Sequence, residues 1–225
     1  MALAHSPRIV RDGLVLYLDA ANIKSYPGSG TTWTDISTNN HHATLTNGPT
    51  FNSGNGGYFV FDGINDHARI DASFQVSTSA TYSFEAWIFK TSTGTSNAAQ
   101  LISGGFGGDQ DGLTISSETF STAGDARIQT TNGTCTAVYY NSVSQNLTES
   151  GNATLANFNL NEWIHIAVTG LSVDSVDGGR HHIGQNNNNT NEYTGRISNI
   201  KIYDRELTAL EVKQNYNALK GRFGL

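Results

Sequence analysis

Acidic side chains grouped in short loops are the first residues here whose types and spacing could do chemistry. Asp19 stands with Asp35 and Asn40, the run Asp62-Gly63-Ile64-Asn65-Asp66 with Asp71, and Asp109-Gln110-Asp111 forms a third group. Calcium draws its oxygen ligands from carboxylates, carbonyls and water, so each group could supply part of a shell. None has the ordered alternation of an EF-hand, and Asp and Asn also cap turns through their own backbone. A calcium site, the one cofactor considered, is expected at Asp62, Asn65 and Asp66 if the chain has one. A sugar site would need aromatic rings in rim loops beside amide and hydroxyl partners. Tyr26, Phe106, Tyr140 and Tyr193 are the candidate rings, with Asn187 as a polar partner, whereas Tyr58 and Tyr139 read as sheet packing.

Catalytic patterns are missing. Retaining glycoside hydrolysis needs two carboxylates about 5 Å apart, and the strand-like run around Glu85 offers a single one. The adjacent pairs His41-His42 and His181-His182 would point to opposite faces of a strand, so neither converges on one metal. Gly104-Gly105-Phe106-Gly107-Gly108 lacks the Lys and Ser/Thr of a phosphate loop. Cys135, the one cysteine, cannot form an internal disulfide and reads as a small buried hydrophobe. No catalytic residue is assigned, and the chain is expected not to be an enzyme.

The elements that must position these residues are strands and turns. With 225 residues, 24 glycines and only 14% charged residues, the chain suits one large β domain with many tight turns and an Asn-, Ser- and Thr-rich surface. A net charge of −6 gives no footprint for nucleic acid or an anionic membrane. The start lacks the apolar stretch of a secretory signal, and no run is long enough to span a membrane, so a soluble protein made in the cytosol is expected. Strands are predicted over 13–19, 58–61, 68–70, 82–89, 101–103, 112–116, 126–130, 134–140 and 163–169. In 82–89, Tyr82, Phe84, Ala86 and Ile88 share one face and Glu85, Trp87 and Phe89 the other. Both faces are largely apolar, which predicts a central strand. Residues 185–191 read as a solvated asparagine loop.

A helix is predicted over 209–220. Thr208 and Glu211 form a capping box, Leu207 and Val212 a hydrophobic staple, and Val212, Tyr216 and Leu219 share one face, with Gly221 as the stop. A helix this short must dock on the strands to persist. Residues 1–12 are read as an N-terminal arm able to anchor a neighbouring subunit, and 13–225 as one domain.

The motifs resemble, in order, a laminin-G-like domain. They are Gly13-Leu14-Val15-Leu16-Tyr17-Leu18-Asp19, Trp33-Thr34-Asp35-Ile36-Ser37, Phe61-Asp62-Gly63-Ile64-Asn65-Asp66 and Phe84-Glu85-Ala86-Trp87. They continue with Asn161-Glu162-Trp163-Ile164-His165-Ile166-Ala167-Val168-Thr169 and a closing signature, Gly195-Arg196-Ile197 through Ile202-Tyr203-Asp204-Arg205 to Leu207. The resemblance implies an all-β, two-sheet antiparallel jelly-roll sandwich of concanavalin A type with one short C-terminal helix. It also implies core positions for Trp33, Trp87 and Trp163. Many relatives carry an acidic pair where this chain has Ser198 and Asn199, which counts against a calcium site at that place. Glucanases of the same architecture carry E-x-D-x-x-E on one strand, and Glu85 lacks those partners.

The opening, with Leu18-Asp19-Ala20-Ala21-Asn22, Ser25-Tyr26-Pro27-Gly28-Ser29-Gly30 and Thr32-Trp33-Thr34-Asp35, is similar to virion structural proteins of tailed, T4-like marine cyanophages. It implies a non-enzymatic protein of the virion surface, in a capsid decoration or a tail or fibre. Its expected partners are other virion proteins, further copies of itself and a host surface glycan. A calcium-assisted lectin is the alternative, and a glycan hydrolase the third reading.

Overall fold

The computed structural model describes residues 7–91, 98–104, 114–119, 125–131, 134–146, 158–173, 181–186 and 191–225. The strands of the first half are β1 Leu14–Asp19, β2 Thr32–Trp33, β3 Ala43–Thr46, β4 Thr50–Asn52, β5 Tyr58–Asp62, β6 His67–Ile70 and β7 Tyr82–Lys90. Next come β8 Ala98–Ser103, β9 Thr114–Thr119, β10 Asp125–Thr131, β11 Ala137–Tyr140 and β12 Val143–Ser144. The last are β13 Phe158–Asn159, β14 Trp163–Leu171, β15 His182–Ile183 and β16 Thr194–Tyr203, followed by helix α1 Ala209–Leu219. One sheet has the order β12-β11-β14-β7-β16-β5-β4, with β1 also paired to β16; the other runs β13-β10-β9-β8-β15-β6-β3-β2. Neighbouring strands are antiparallel, and the fold is a jelly-roll sandwich with one short C-terminal helix. Among the described residues no helix is long and apolar enough to cross a membrane.

The main core lies between the sheets and includes Trp33, Phe59, Phe61, Phe84, Ile88, Ile166, Val168, Ile183, Ile200 and Ile202. The strand β7 is central in its sheet, flanked by β14 and β16. Its two apolar faces have separate reasons. Phe84, Ala86 and Ile88 enter the main core, while Trp87, on the opposite face, is covered by the C-terminal segment. The Trp87 ring stacks on Phe223 at 4.1 Å and on Tyr216 at 5.7 Å. A second apolar layer, built from Val10, Tyr17, Tyr203, Leu207 and Val212, continues this outer packing. Trp163 belongs to that outer cluster rather than to the main core, and it is only partly buried.

A register shift between Ile197 and Asn199 interrupts the pairing of β16 with β7. Such a bulge exchanges the faces of the residues beyond it. Ile197, Ile200 and Ile202 therefore all reach the main core at a spacing of three and then two. Ser198, at the bulge, donates its hydroxyl to Gly57 O at 2.8 Å, while its carbonyl takes the Ala20 N–H.

The closing signature is a clamp. Arg205 forks onto Glu211 (Nη2 to Oε1 2.6 Å, Nη1 to Oε2 3.1 Å) and its Nε reaches Asp12 Oδ2 at 2.9 Å. These bonds hold the Glu211 carboxyl at about 2. Gly13, at φ +72°, has no room for a side chain against Arg205 and Asp204. The expected capping box is present: Glu211 N donates to Thr208 Oγ1, and Thr208 N to Glu211 Oε2. Thr208→Ala should therefore lower stability by about 1 kcal/mol, measured as a shift in the urea midpoint with an unchanged slope.

The α-helix ends at Leu219, one residue short of the expected 220. After Leu219 the chain tightens into a 3-10 turn, Lys220–Phe223, and the left-handed cap is Gly224 at φ 76°, not Gly221. The extra turn carries Phe223 down onto Trp87, so burial of that ring decides where the chain turns away. The N-terminal residues also depart from a free arm. Val10 N donates to Asn215 Oδ1, Tyr203 OH to Val10 O, and Gln214 to Arg8 O, so residues 8–10 dock on the chain's own helix.

Candidate binding cleft

The expected sugar platform is not assembled. Tyr193 is fully buried, and Tyr26 and Tyr140 retain only 6% and 7% exposure, all three within the main core cluster. Tyr26 packs edge-on against Phe59 at 4.8 Å and donates to Gly30 O, so its ring face is not open to a sugar. Their turn-rich sequence surroundings suggested rim loops, but the rings fold inward between the sheets because each fills core volume. Phe106 and Asn187 lie outside the described residues, as do Asp109 and Asp111.

The acidic groups are occupied by the backbone. Asp62 Oδ1 accepts from Ile64 N at 2.8 Å and Asn65 N at 3.3 Å, and Asp66 Oδ2 accepts from Asp62 N at 3.0 Å. Asn65 O takes Asn47 Nδ2 and lies 3.0 Å from His67 Nδ1. Asp66 is buried with Oδ1 unpartnered, and desolvation raises its carboxyl pKa. This geometry is turn chemistry. Asp35 likewise accepts from Tyr17 N, Ser37 N, Ser37 Oγ and His41 N. Among the described residues, no group of three His, Cys, Asp or Glu side chains is arranged to hold a metal.

Glu85 lies sealed beneath α1. Its Oε2 accepts from Lys201 Nζ at 3.2 Å and Asn215 Nδ2 at 2.8 Å, and all three residues are fully buried. His165 Nε2 stands 3.7 Å from Oε1, a charge contact too long for a hydrogen bond. Burial pushes the Glu85 carboxyl up, and the Lys201 charge leads the effects that more than offset it, so its pKa lies below the ordinary value. Burial dominates at His165 and keeps that imidazole neutral at pH 7. A carboxylate closed off by a helix cannot meet a glycosidic bond. His181 is buried against Phe74, and its pKa is pushed to about 4 by burial and then by His182.

A charged concavity does open where the two termini meet. It has a volume of about 480 Å³ and is lined by Arg8, Ile9, Arg11, Tyr17, Asp19, Asn22, Leu219 and Arg222, within the range of small-ligand pockets. Strand β1 supplies Tyr17 and Asp19, the docked N-terminal residues supply Arg8 and Arg11, and the 3-10 turn supplies Arg222. Asp19 is fully buried and fully engaged. It accepts from Tyr17 OH at 2.7 Å, from Ala21 N at 3.1 Å and from Arg222 Nη1 at 2.9 and 3.0 Å. Burial and then the Asp19 charge push the Tyr17 hydroxyl far above its usual pKa, so it remains a donor. A second opening of about 320 Å³, lined by Thr44, Thr46, Arg69 and Asp71, lies at β3 and β6. Sequence reasoning passed over the arginine cleft. Its one local signal is the Arg8, Arg11 pair three residues apart, and Arg222 joins it only through the fold.

No family model matches the chain, and no curated protein matches it in sequence. Solved structures do match in shape. Trypanosoma rangeli sialidase in complex with the inhibitor DANA superposes with a TM-score of 0.53 at 15% identity, over 95% of this chain and 35% of the sialidase. The botulinum neurotoxin type G receptor-binding domain gives 0.56 at 14% identity, over 91% of this chain and 51% of that one. The serotype D binding domain gives 0.58 at 12%, over 92% and 52%. The chain thus spans about a third of the sialidase and about half of each toxin domain. At these identities the likeness is one of fold: a lectin-like sandwich.

Proposed function

We propose that the chain is a non-enzymatic, lectin-like binding module displayed on the surface of a tailed-phage particle, in a capsid decoration or a tail or fibre. The observation that carries the non-enzymatic part is the enclosure of Glu85. The strand carboxylate in the position expected of a hydrolase is buried under α1 and neutralised by Lys201. The arginine cleft is open and holds no free carboxylate, so it suits recognition rather than glycoside cleavage. The phage setting is supported by the opening residues 13–35, which resemble virion structural proteins. Its partners in that setting are neighbouring virion proteins and a host surface glycan.

Two measurements test this reading. Mass spectrometry of purified particles should find the chain in many copies, and particles lacking it would remove the virion part. A glycan array, probed with and without calcium, should show binding that is indifferent to calcium, because a cation would have to displace two amides from Asp62 Oδ1. Binding that requires calcium would restore the 62–66 loop as a metal site and favour the calcium-assisted lectin. Turnover of a glycoside substrate would overturn the non-enzymatic assignment.

A further inference from the structure

We propose that the cleft between the termini grips the anionic group, a carboxylate or a sulfate, of an acidic saccharide unit. This rests on reading the chain as a binding module and names the class of ligand. In a chain of net charge −6, the cleft is lined by three arginines and a single acidic residue. That carboxylate, Asp19, is already neutralised by Arg222 and saturated by Tyr17 and Ala21, so it presents no open oxygen to repel an anion. Arg222 uses only Nη1 for Asp19. Its Nε and Nη2 have no acceptor among the described residues, and Asp19 holds the guanidinium in place.

Arg8 and Arg11 are exposed, and among the described residues neither pairs with a carboxylate. Arg11 is steered by a 3.3 Å bond from Nη1 to Ile36 O and lies 5.8 Å from the Tyr17 ring centre. Asn22 Oδ1 accepts from Lys24 N, which leaves its amide N–H groups as donors. The cleft therefore offers donors and positive charge. Guanidinium forks match planar oxyanions in two-bond geometry, and such charge-assisted bonds are the strong ones. Ile9, Ala218 and Leu219 add an apolar wall against which a sugar ring can rest.

The test uses the full chain and four probes in calorimetric titration: an oligogalacturonate, a heparin oligosaccharide, a neutral cello-oligosaccharide and inorganic sulfate. One or both acidic probes should bind, and which of them binds separates carboxylate from sulfate recognition. The neutral probe should not bind. Arg8→Gln or Arg11→Gln should each weaken binding about tenfold, and the pair about a hundredfold, with affinity falling as salt rises. Both residues are exposed, so the variants should melt with the parent, and that is checked first. Acidic binding unchanged in the double variant overturns the proposal. Neutral binding as tight as acidic overturns the anion assignment while leaving a glycan-binding module standing. Binding of inorganic sulfate alone, lost in the double variant, overturns the saccharide and with it the lectin-like reading.

Discussion

Glu85→Ala is expected to destabilise the fold by about 3–5 kcal/mol, because it leaves the Lys201 ammonium buried without a counter-charge. Lys201 Nζ has Glu85 Oε2 at 3.2 Å and Asn199 Oδ1 at 3.4 Å, and it is fully buried. Removing the carboxylate also takes one of two acceptors from Asn215, which anchors α1 and, through Oδ1, the N-terminal residues at Val10. The helix should therefore loosen together with the arm. The double variant Glu85→Leu with Lys201→Met should recover most of the loss, since an apolar pair of similar volume replaces a desolvated ion pair at little net cost. Chemical unfolding of both variants tests this, and a single variant as stable as the parent would mean that the pair contributes nothing. Acid should act on the same layer. Glu85 has a lowered folded pKa, so its contribution is present above its unfolded value and lost as pH falls through the folded one. His165, also lowered, favours the folded state above its ordinary 6.5 and opposes it below.

Lys90→Met is expected to stabilise the protein by about 2 kcal/mol at pH 7. Lys90 ends β7 on the inner face, 1% exposed, with Nζ lacking a hydrogen-bond partner. Burial holds its pKa at about 8, against 10.5 for the free side chain. Keeping the ammonium charged in that position costs on the order of 3 kcal/mol, of which its place over the Tyr193 ring returns about 1. The ring centre is 4.8 Å away. The sign follows from proton binding. Between about 8 and 10.5 the unfolded chain holds a proton that the folded chain has released, so parent stability rises with pH there. The advantage of Lys90→Met should therefore shrink over that window and be full below it. Unfolding curves at neutral pH and at pH 10 decide it; a methionine variant that is less stable at neutral pH would show that the charge is better solvated than its burial implies.

Much of the fold was legible because strands and caps are local. The alternation in 82–89 marked a central strand, and Thr208 with Glu211 marked the helix start, since a capping box depends on residues three apart. The α-helix ends at Leu219, within one residue of the prediction, but the left-handed turn lies at Gly224 rather than Gly221, because the docking of Phe223 on Trp87, a contact between distant residues, adds a 3-10 turn. The tyrosines failed as sugar platforms for a related reason. Sequence patterning marks Tyr26, Tyr140 and Tyr193 as aromatic and near turns, but only sheet packing decides whether such a ring faces solvent or core.

By itself the sequence determined an all-β domain, the strand that sits at its centre and the capped helix. These depend on residue type and short-range spacing, which carry over directly into backbone periodicity and turn chemistry. The tertiary structure alone decided which side of each sheet is closed. The outer face of β7 is covered by α1 and residues 8–10, which seals Glu85 in, and pairing of β1 with β16 brings Arg8, Arg11 and Arg222 around Asp19. Those residues come from opposite ends of the chain, and no local pattern encodes their meeting. It follows from long-range strand pairing and from the burial of Val10, Leu219 and Phe223 in one layer.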